Sequence, residues 1–519
     1  MQGGLLNLAK RHRYYLSLAL ILALAAFMRF HRLAGLPPGL FPDEAANGLD
    51  VLNIIHHHDI QPFYARNGGR EGLFFIIQAL FVWLRGNTTY ALRLAPALIS
   101  TLAVGMTAVW ATSWFGRRVG VVSAAIMAAV PWAVVIGRDG FRAGMVALMV
   151  PLTLWLYTKA TRTNKGWWYV AAGVSLGTGF YTYIAWRLFP LALILGGIYA
   201  AKWRPAWWRR VRRGLVVSLA VCVIVLGPLS VYGIHHPGEL VGRAGGVSFT
   251  NPSLNHGHPL TTLGDTILKT ALMFNFHGDE NYRQNLGGQP ELNLFVGVMF
   301  ILGLLVCAVR RRQPRYAAVL MVFGVMLLPE VLTAEGIPHA LRSIGALPPT
   351  MVLAAIGINY LLGAWYRVFP LNAAARSIGA AAVIGLIILS AYQGYVEYFW
   401  AWASSPQTYA AYSEDTSTLA NYFNNNPFHG QRYAVGVTYE LMPVAYLTYS
   451  HGAYTPLDPT AVSHVPLSPD SAKQFSILEG DKSTVVPLLK KEFPGGHLSP
   501  HYSAFSGKEL FVIYTVPAS

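Results

Sequence analysis

The sequence predicts a polytopic α-helical membrane protein that ends in a small α/β domain. Three observations carry that expectation. The chain of 519 residues is 54% hydrophobic and only 12% charged, with a mean hydropathy of +0.40, and its apolar residues lie in uncharged runs. Many of those runs approach the roughly 20 residues that a helix needs to cross the hydrocarbon. Lys and Arg cluster in alternate loops between the runs. Beyond about residue 398 the long runs stop, and Ser, Thr, Pro and scattered charge take over.

The candidate spans are roughly 14–33, 90–114, 119–137, 142–160, 167–186, 188–201, 214–234, 291–309, 316–334, 343–366 and 377–397, about eleven in all. No small-residue cleavage site follows the first, so it reads as an anchor. The 73–85 stretch is short and reads as a juxtamembrane or re-entrant helix, because counting it as a span would break the charge alternation. The segments Lys10 to Arg13, Arg117-Arg118, Lys159 to Lys165, Lys202 to Arg213, Arg310 to Arg315, and Arg367 with Arg376 all fall on one side. They hold about half of the 39 Lys and Arg and none of the 23 Asp and Glu. That side is predicted to be cytoplasmic, with the N-terminus inside and the C-terminal domain outside a cell or plasma membrane. The formal charge of +16 and the pI near 9.7 therefore record topology and give no footprint for nucleic acid. A basic inner face also favours anionic membrane lipid. Both cysteines, Cys222 and Cys307, fall inside spans, which excludes a disulfide framework and thiol chemistry.

Residues 1–398 thus form a transmembrane domain and 399–519 an outer α/β domain, with strands expected at 432–437 and 510–516 and helices at 413–424 and 439–449. Two outer loops are too long for simple connectors. The first, 34–89, carries Asp43, Glu44 and Glu71, and its 45–55 stretch has the spacing of an amphipathic interfacial helix. The second, 235–290, contains Asp279 in the run His277 to Arg283.

The predicted topology gathers polar residues at the outer ends of spans: Arg138, Asp139 and Arg142, then Tyr181, Tyr183 and Arg187, then His235, His236, Glu330, Glu335, His339 and Arg342. Acids beside cations suit a reaction in which a carboxylate takes a proton from a hydroxyl while guanidinium groups hold a phosphate. Plainer roles exist for each residue. Asp43 could cap the 45–55 helix, Glu71 could pair with Arg70, and an arginine at a span end could snorkel to the interface. His56 to His58 and the pair His256 and His258 do not make convincing metal sites, so a divalent metal is conceivable but not indicated.

The Asp43-Glu44 pair in the first outer loop, soon after one span, resembles the signature of GT-C fold glycosyltransferases of the protein O-mannosyltransferase and aminoarabinose transferase type. Further similar segments are Arg70 to Phe75, Ala91 to Pro96, Trp114 to Arg118 and Arg138 to Arg142, so the likeness covers roughly 14–205. It implies a polyprenyl-phosphate sugar donor and makes Asp43 the catalytic base, with Glu44 and Glu71 orienting the acceptor or Asp43. The family often has Lys-Pro or Pro-Pro after the second acid, where this chain has Gly72-Leu73, and Arg70 is the nearest basic substitute.

The expected reaction is an inverting transfer to a hydroxyl of a glycan, lipid or protein at the outer interface, with no nucleic-acid partner and no cofactor indicated. Arg138, Arg142, Arg187, His339 and Arg342 are the candidates for holding the donor phosphate. Arg70, Asp279 and Tyr183 are those for acceptor or sugar. The alternative is a transporter or flippase for a lipid-linked sugar. It lacks the mid-membrane ionisable residue and the inverted repeat that such proteins use.

Overall fold

The computed structural model describes residues 2–449, 454–465 and 471–518, with side chains from residue 12 onward except at 241, 243 and 244. The helices follow one another as α1 (Gln2–Phe30), α2 (Pro42–His57), α3 (Leu73–Arg85), α4 (Thr89–Phe115), α5 (Arg117–Ala129), α6 (Pro131–Ile136) and α7 (Gly144–Thr163). Next come α8 (Gly166–Gly179), α9 (Phe189–Trp203), α10 (Pro205–His235), α11 (Pro237–Val247), α12 (Pro252–Asn255), α13 (Pro259–Leu272) and α14 (Leu294–Val309). The last are α15 (Pro314–Val331), α16 (Leu347–Val368), α17 (Ala373–Val396), α18 (Pro406–Ala411), α19 (Glu414–Asn425), α20 (Met442–Leu447) and α21 (Glu479–Glu492). Strands β1 (Phe63–Tyr64) and β2 (Arg70–Glu71) form a short hairpin. Strands β3 (Gln431–Val435), β4 (Thr455–Leu457), β5 (Lys473–Leu478), β6 (His497–Tyr502) and β7 (Glu509–Val516) form a sheet.

Two compact units result, one of residues 1–31, 61–74 and 95–402, the other of 32–60, 75–94 and 403–519. Among the described residues, seven helical segments are long and apolar enough to cross a membrane: His12–Phe30, Thr89–Phe115, Ile184–Trp203, Pro205–His235, Pro314–Val331, Ile344–Val368 and Ala373–Trp402. Each matches an expected span. The run expected at 188–201 is longer than its sequence suggested, because the 3-10 turn Ile184–Leu188 leads directly into α9. Of the other expected spans, 142–160 is a continuous helix of 20 residues, α7, whereas α8 has 14 residues, α14 has 16 and the 119–137 run is broken.

The break in the 119–137 run has a clear cause. Pro131 has no N–H to give to Met127 and forces Val130 into extended backbone (φ −60°, ψ 130°) between α5 and α6. The carbonyls this releases are taken by Arg29, whose guanidinium donates to the oxygens of Ala128 (2.5 Å) and Met127 (3.0 Å) and to Ser100 Oγ (2.9 Å). Elsewhere in this unit glycines bring backbones together. A Cβ at Gly303 would collide with the Leu353 carbonyl, and one at Gly357 with that of Met299, so α14 and α16 touch main chain to main chain. Outward positions on α10 and α17, such as Val216, Ile224, Ile378 and Ile388, stay exposed and apolar, as a lipid-facing surface requires.

The second unit is built on the sheet, ordered β4-β3-β5-β7-β6, with β3 parallel to β4 and β5 and the remaining pairs antiparallel. Side chains alternate between its faces with period two. Val435, Phe475, Ile477, Val512 and Tyr514 pack with Val485 and Leu489 of α21, while Ala434, Phe511 and Ile513 pack with α19 and with Val444 of α20. Helix α2 belongs to this unit and is not the interfacial helix expected at 45–55. Consecutive residues from Glu44 to Gly48 are buried, and a Cβ on Gly48 would fall 2.5 Å from the Tyr446 ring of α20. A helix enclosed on adjacent positions is an inner element, whereas an interfacial helix keeps one polar face in water.

Candidate functional site

In the second unit, α2 gives the two adjacent acids different surroundings. The helix start leaves no capping role for Asp43: Phe41 is the N-cap, Pro42 opens the helix, and Glu44 reaches back to the Phe41 N–H (3.3 Å). Glu44 is also held by Arg93, whose Nε and Nη2 donate to its two oxygens at 3.0 and 2.8 Å. The same guanidinium donates to the carbonyls of Pro37 (2.7 Å) and Gly39 (2.6 Å), so Glu44 is fully enclosed and acts on the loop's shape. Asp43 is only half-buried and accepts a hydrogen bond from the Tyr439 hydroxyl at 2.8 Å.

In the first unit, the β1–β2 hairpin presents Glu71. Gly72 donates its N–H to the Pro62 carbonyl (3.0 Å), and a Cβ there would collide with the Gln61 carbonyl, which accounts for glycine where the resembling family often has Lys or Pro. Glu71 is buried and receives Arg142 Nε at 2.8 Å and Arg187 Nη2 at 3.4 Å. The Arg142 guanidinium lies 5.4 Å from the centroid of the buried Tyr183 ring, which ties that expected sugar contact to the cation instead. Arg187 also donates to the Leu240 carbonyl (2.6 Å), and its side chain remains 26% exposed, so it can reach a ligand. Arg70 is buried and turns back onto the Arg66 carbonyl at 3.1 Å, away from the role of an open acceptor contact.

Arg138 has a different task from the one expected of it. It is fully buried, donates to the carbonyls of Met28, Arg29 and His31 (2.9, 2.9 and 2.8 Å) and to the Tyr398 hydroxyl (2.9 Å), and so closes the C-terminal end of α1. Those bonds leave it a poor phosphate ligand.

A second polar centre in the first unit contains Asp279, Glu291, Glu330 and His339. Asp279 accepts the N–H groups of Asn281 (2.8 Å) and Ala340 (2.9 Å), with His339 Nδ1 3.8 Å away, and so joins two loops. Glu291 Oε1 accepts the Asp279 N–H at 3.3 Å, and Glu330 Oε1 accepts that of His339 at 2.7 Å. The second oxygens of Glu291 and Glu330 are buried and make no hydrogen bond among the described residues. Burial pushes the Asp279 carboxyl up to about 6 against the pull of its hydrogen bonds and of Arg342 and Arg283. Burial first and the Asp279 charge second hold Glu291 well above the usual carboxylate range. Arg342 pairs with Glu335 at 3.0 Å. Sequence reasoning missed Glu291, whose only signal was an acid directly before an apolar run.

Among the described residues, no three His, Cys, Asp or Glu side chains are placed to share a metal ion. His56 stacks on Tyr449 at 5.4 Å, while His58 and His256 adopt left-handed turns that end helices.

Comparison with known proteins agrees with this architecture. Residues 73–232 match the family model of dolichyl-phosphate-mannose-protein mannosyltransferase. No curated protein matches the chain. Among solved structures, the fold is similar to that of ArnT from Cupriavidus metallidurans bound to undecaprenyl phosphate. The TM-score is 0.58 at 14% identity, over 96% of this chain and 98% of that one. It is also similar to the oligosaccharyltransferase AglB from Archaeoglobus fulgidus, in complex with an inhibitory peptide and a dolichol-phosphate. There the TM-score is 0.56 at 14% identity, over 97% of this chain and 74% of that one. The chain therefore has the GT-C fold, and the resemblance read from its first-loop acids extends to the three-dimensional structure.

Proposed function

We propose that this GT-C fold membrane protein is a glycosyltransferase that moves a sugar from a polyprenyl-phosphate donor to an acceptor hydroxyl on the outer side of the membrane. The observation that carries this reading is the division of labour within Asp43-Glu44: Glu44 is locked into the fold by Arg93, while Asp43 is half-exposed and oriented by Tyr439. A buried acid bound by a guanidinium fork is unsuited to take a proton. A half-exposed one is suited to it.

In this mechanism Asp43 accepts the proton of the acceptor hydroxyl as its oxygen attacks the anomeric carbon. The bond from that carbon to the lipid phosphate breaks, and the electron pair leaves with the phosphate. Attack opposite the leaving group inverts the anomeric configuration. Arg142 and Arg187 balance the charge that develops on the phosphate, with Arg187 the cation that has exposed surface and Glu71 holding both in place. His339 and Arg342 remain secondary candidates for the phosphate, and Arg138 is removed from that set by its bonds to the end of α1.

The test uses the purified full-length protein, a panel of polyprenyl-phosphate hexoses and pentoses, and a mixture of glycan, lipid and peptide acceptors. Acceptor-dependent release of polyprenyl phosphate from at least one donor is expected, with the opposite anomeric configuration in the product. A folded protein that binds these donors and releases polyprenyl phosphate from none of them would remove the transferase reading.

A further inference from the structure

The first unit contains a cavity of about 1140 Å³ that runs along α9 and is walled by α7, α8, α10 and α15. That exceeds the roughly 300–1,000 Å³ of an ordinary small-ligand pocket. Its long wall is apolar, formed by residues such as Leu154, Leu193, Ile198, Leu219, Met321 and Val322. Along α9 the lining extends from Pro190 to Ala201, about 16 Å at the helical rise. That is about half of the roughly 30 Å hydrocarbon core, the depth of one leaflet.

The end of the cavity near the basic loops has a different chemistry. Arg162, Arg204, Arg212 and Arg315 line it together with Trp114, Trp207 and Trp208. Tryptophan beside cations at the end of apolar helices is the arrangement of a membrane–water boundary. No Asp or Glu occurs between Asp139 and Glu239, nor between Glu291 and Glu330, so the elements that form the cavity bring no acid to these arginines. Arg162 donates to the Ser113 carbonyl (2.5 Å), and Arg315 to the Trp114 carbonyl and Gln313 (both 3.4 Å). Arg204 and Arg212 have no hydrogen bond or ion pair through their side chains among the described residues. Guanidinium groups collected at one cavity end, with no internal counter-charge, call for an anion, and their planar forks suit a phosphate.

We propose that this cavity binds one anionic phospholipid from the leaflet on the basic side. Its phosphate sits between Arg204 and Arg212, and its acyl chains lie along α9. Room for the chains comes from the missing side chains of Gly196 and Gly197. A Cβ on Gly196 would meet nothing within 4 Å, and one on Gly197 would approach only Trp208, at 3.5 Å. The headgroup end lies at the opposite end of α9 from Arg187, so this site is distinct from the phosphate contacts assigned to the sugar donor.

The test is native mass spectrometry of the full-length protein in mild detergent, titrated with phosphatidylglycerol or with phosphatidylcholine of the same acyl chains. One phosphatidylglycerol per chain should be retained roughly tenfold or more tightly than phosphatidylcholine. With about a fivefold contribution from each basic residue near a headgroup, Arg204→Gln with Arg212→Gln should weaken phosphatidylglycerol about 30-fold and phosphatidylcholine little. Gly196→Leu keeps all four arginines, improves helix propensity and fills the acyl space, so it should lower lipid retention by itself and decides the matter if the arginine variant does not fold. Millimolar inorganic phosphate should leave the bound lipid in place, which separates a lipid site from a free-anion site. Equal retention of both lipids, or unchanged retention in a folded double-arginine variant or in Gly196→Leu, would overturn the proposal. So would release by inorganic phosphate. One-for-one displacement by polyprenyl phosphate would likewise overturn it and give the cavity to the donor chain.

Discussion

Arg93 and Glu44 form an ion pair, Nη2 to Oε2 at 2.8 Å, with neither side chain exposed to solvent. Because Arg93 also holds the carbonyls of Pro37 and Gly39, the pair fixes the turn that leads into α2. Removing one partner leaves the other charge buried and uncompensated. Arg93→Met or Glu44→Gln should therefore cost on the order of 3–5 kcal/mol of stability. Thermal unfolding in detergent checks this, and a loss within experimental scatter would show that the pair contributes little.

Asp43→Asn keeps the size of the side chain and removes its capacity to take a proton. Turnover should fall roughly 10²–10⁴-fold, the usual contribution of a general base, with donor affinity changed much less. Tyr439→Phe keeps the ring and removes the hydrogen bond to Asp43, and should lower turnover roughly tenfold, within the range for a bond to a charged group. Near-normal turnover of a folded Asp43→Asn enzyme would move the base to another residue.

Glu71, Arg142 and Arg187 should behave as one group. Arg187→Gln is expected to weaken donor binding, read as a raised KM or Kd, while Glu71→Gln should lower both stability and kcat because it frees two cations from their anchor. In the combined Glu71→Gln and Arg142→Gln variant stability should partly recover while activity does not, since a buried pair lost together costs less than one charge left alone. Equal recovery of activity and stability would make the group purely structural.

Glu291→Gln is expected to stabilise the protein above mildly acidic pH. The folded state holds the Glu291 proton more tightly than the unfolded chain does, because burial raises it above its ordinary 4.5. The stability belonging to the protonated form is therefore complete below about 4.5 and is lost as pH rises toward the raised folded value. Asp279 adds a similar loss between its ordinary 3.8 and about 6. Glutamine can still accept the Asp279 N–H, so the variant should gain on the order of 1–3 kcal/mol at alkaline pH and nothing near the acid end of the titration. Unfolding temperatures across that range give the test, and a gain independent of pH would point to packing instead.

Orientation is open to chemical labelling. Cys222 and Cys307 are buried, so background labelling should be low. A cysteine at position 460 should react with an impermeant maleimide in intact cells, and one at position 206 only after permeabilisation. The reverse pattern would place the acids and the proposed reaction on the wrong side.

Much of this architecture was legible from residue pattern because membrane spans and sheet strands rest on local periodicity. The strand at Glu509–Val516 and the helix at Glu414–Asn425 lie within a few residues of their expected positions. Asp43 and Glu71 stood out because acids are rare in such a sequence. Their partners were harder to see. Arg93 lies in an apolar run and resembles a residue at a span end, and its link to Glu44 depends on the loop turning back by 49 residues. Arg138 resembled a phosphate ligand, since no local pattern reveals that the end of α1 leaves carbonyls for it to close. Helix α2 has the spacing of a surface helix, and its enclosure depends on Tyr446, distant in sequence.

The broken helix at Pro131 inverts an ordinary expectation about proline. Replacing a proline inside an apolar helical run with alanine normally improves the helix. Here the change would let residue 131 bond to the Met127 carbonyl, the group that Arg29 now occupies. A continuous helix would withdraw that acceptor from a guanidinium that has no exposed surface. The discontinuity and the buried cation thus form a single unit: either is a defect alone, and a sequence that repairs one must also replace the other.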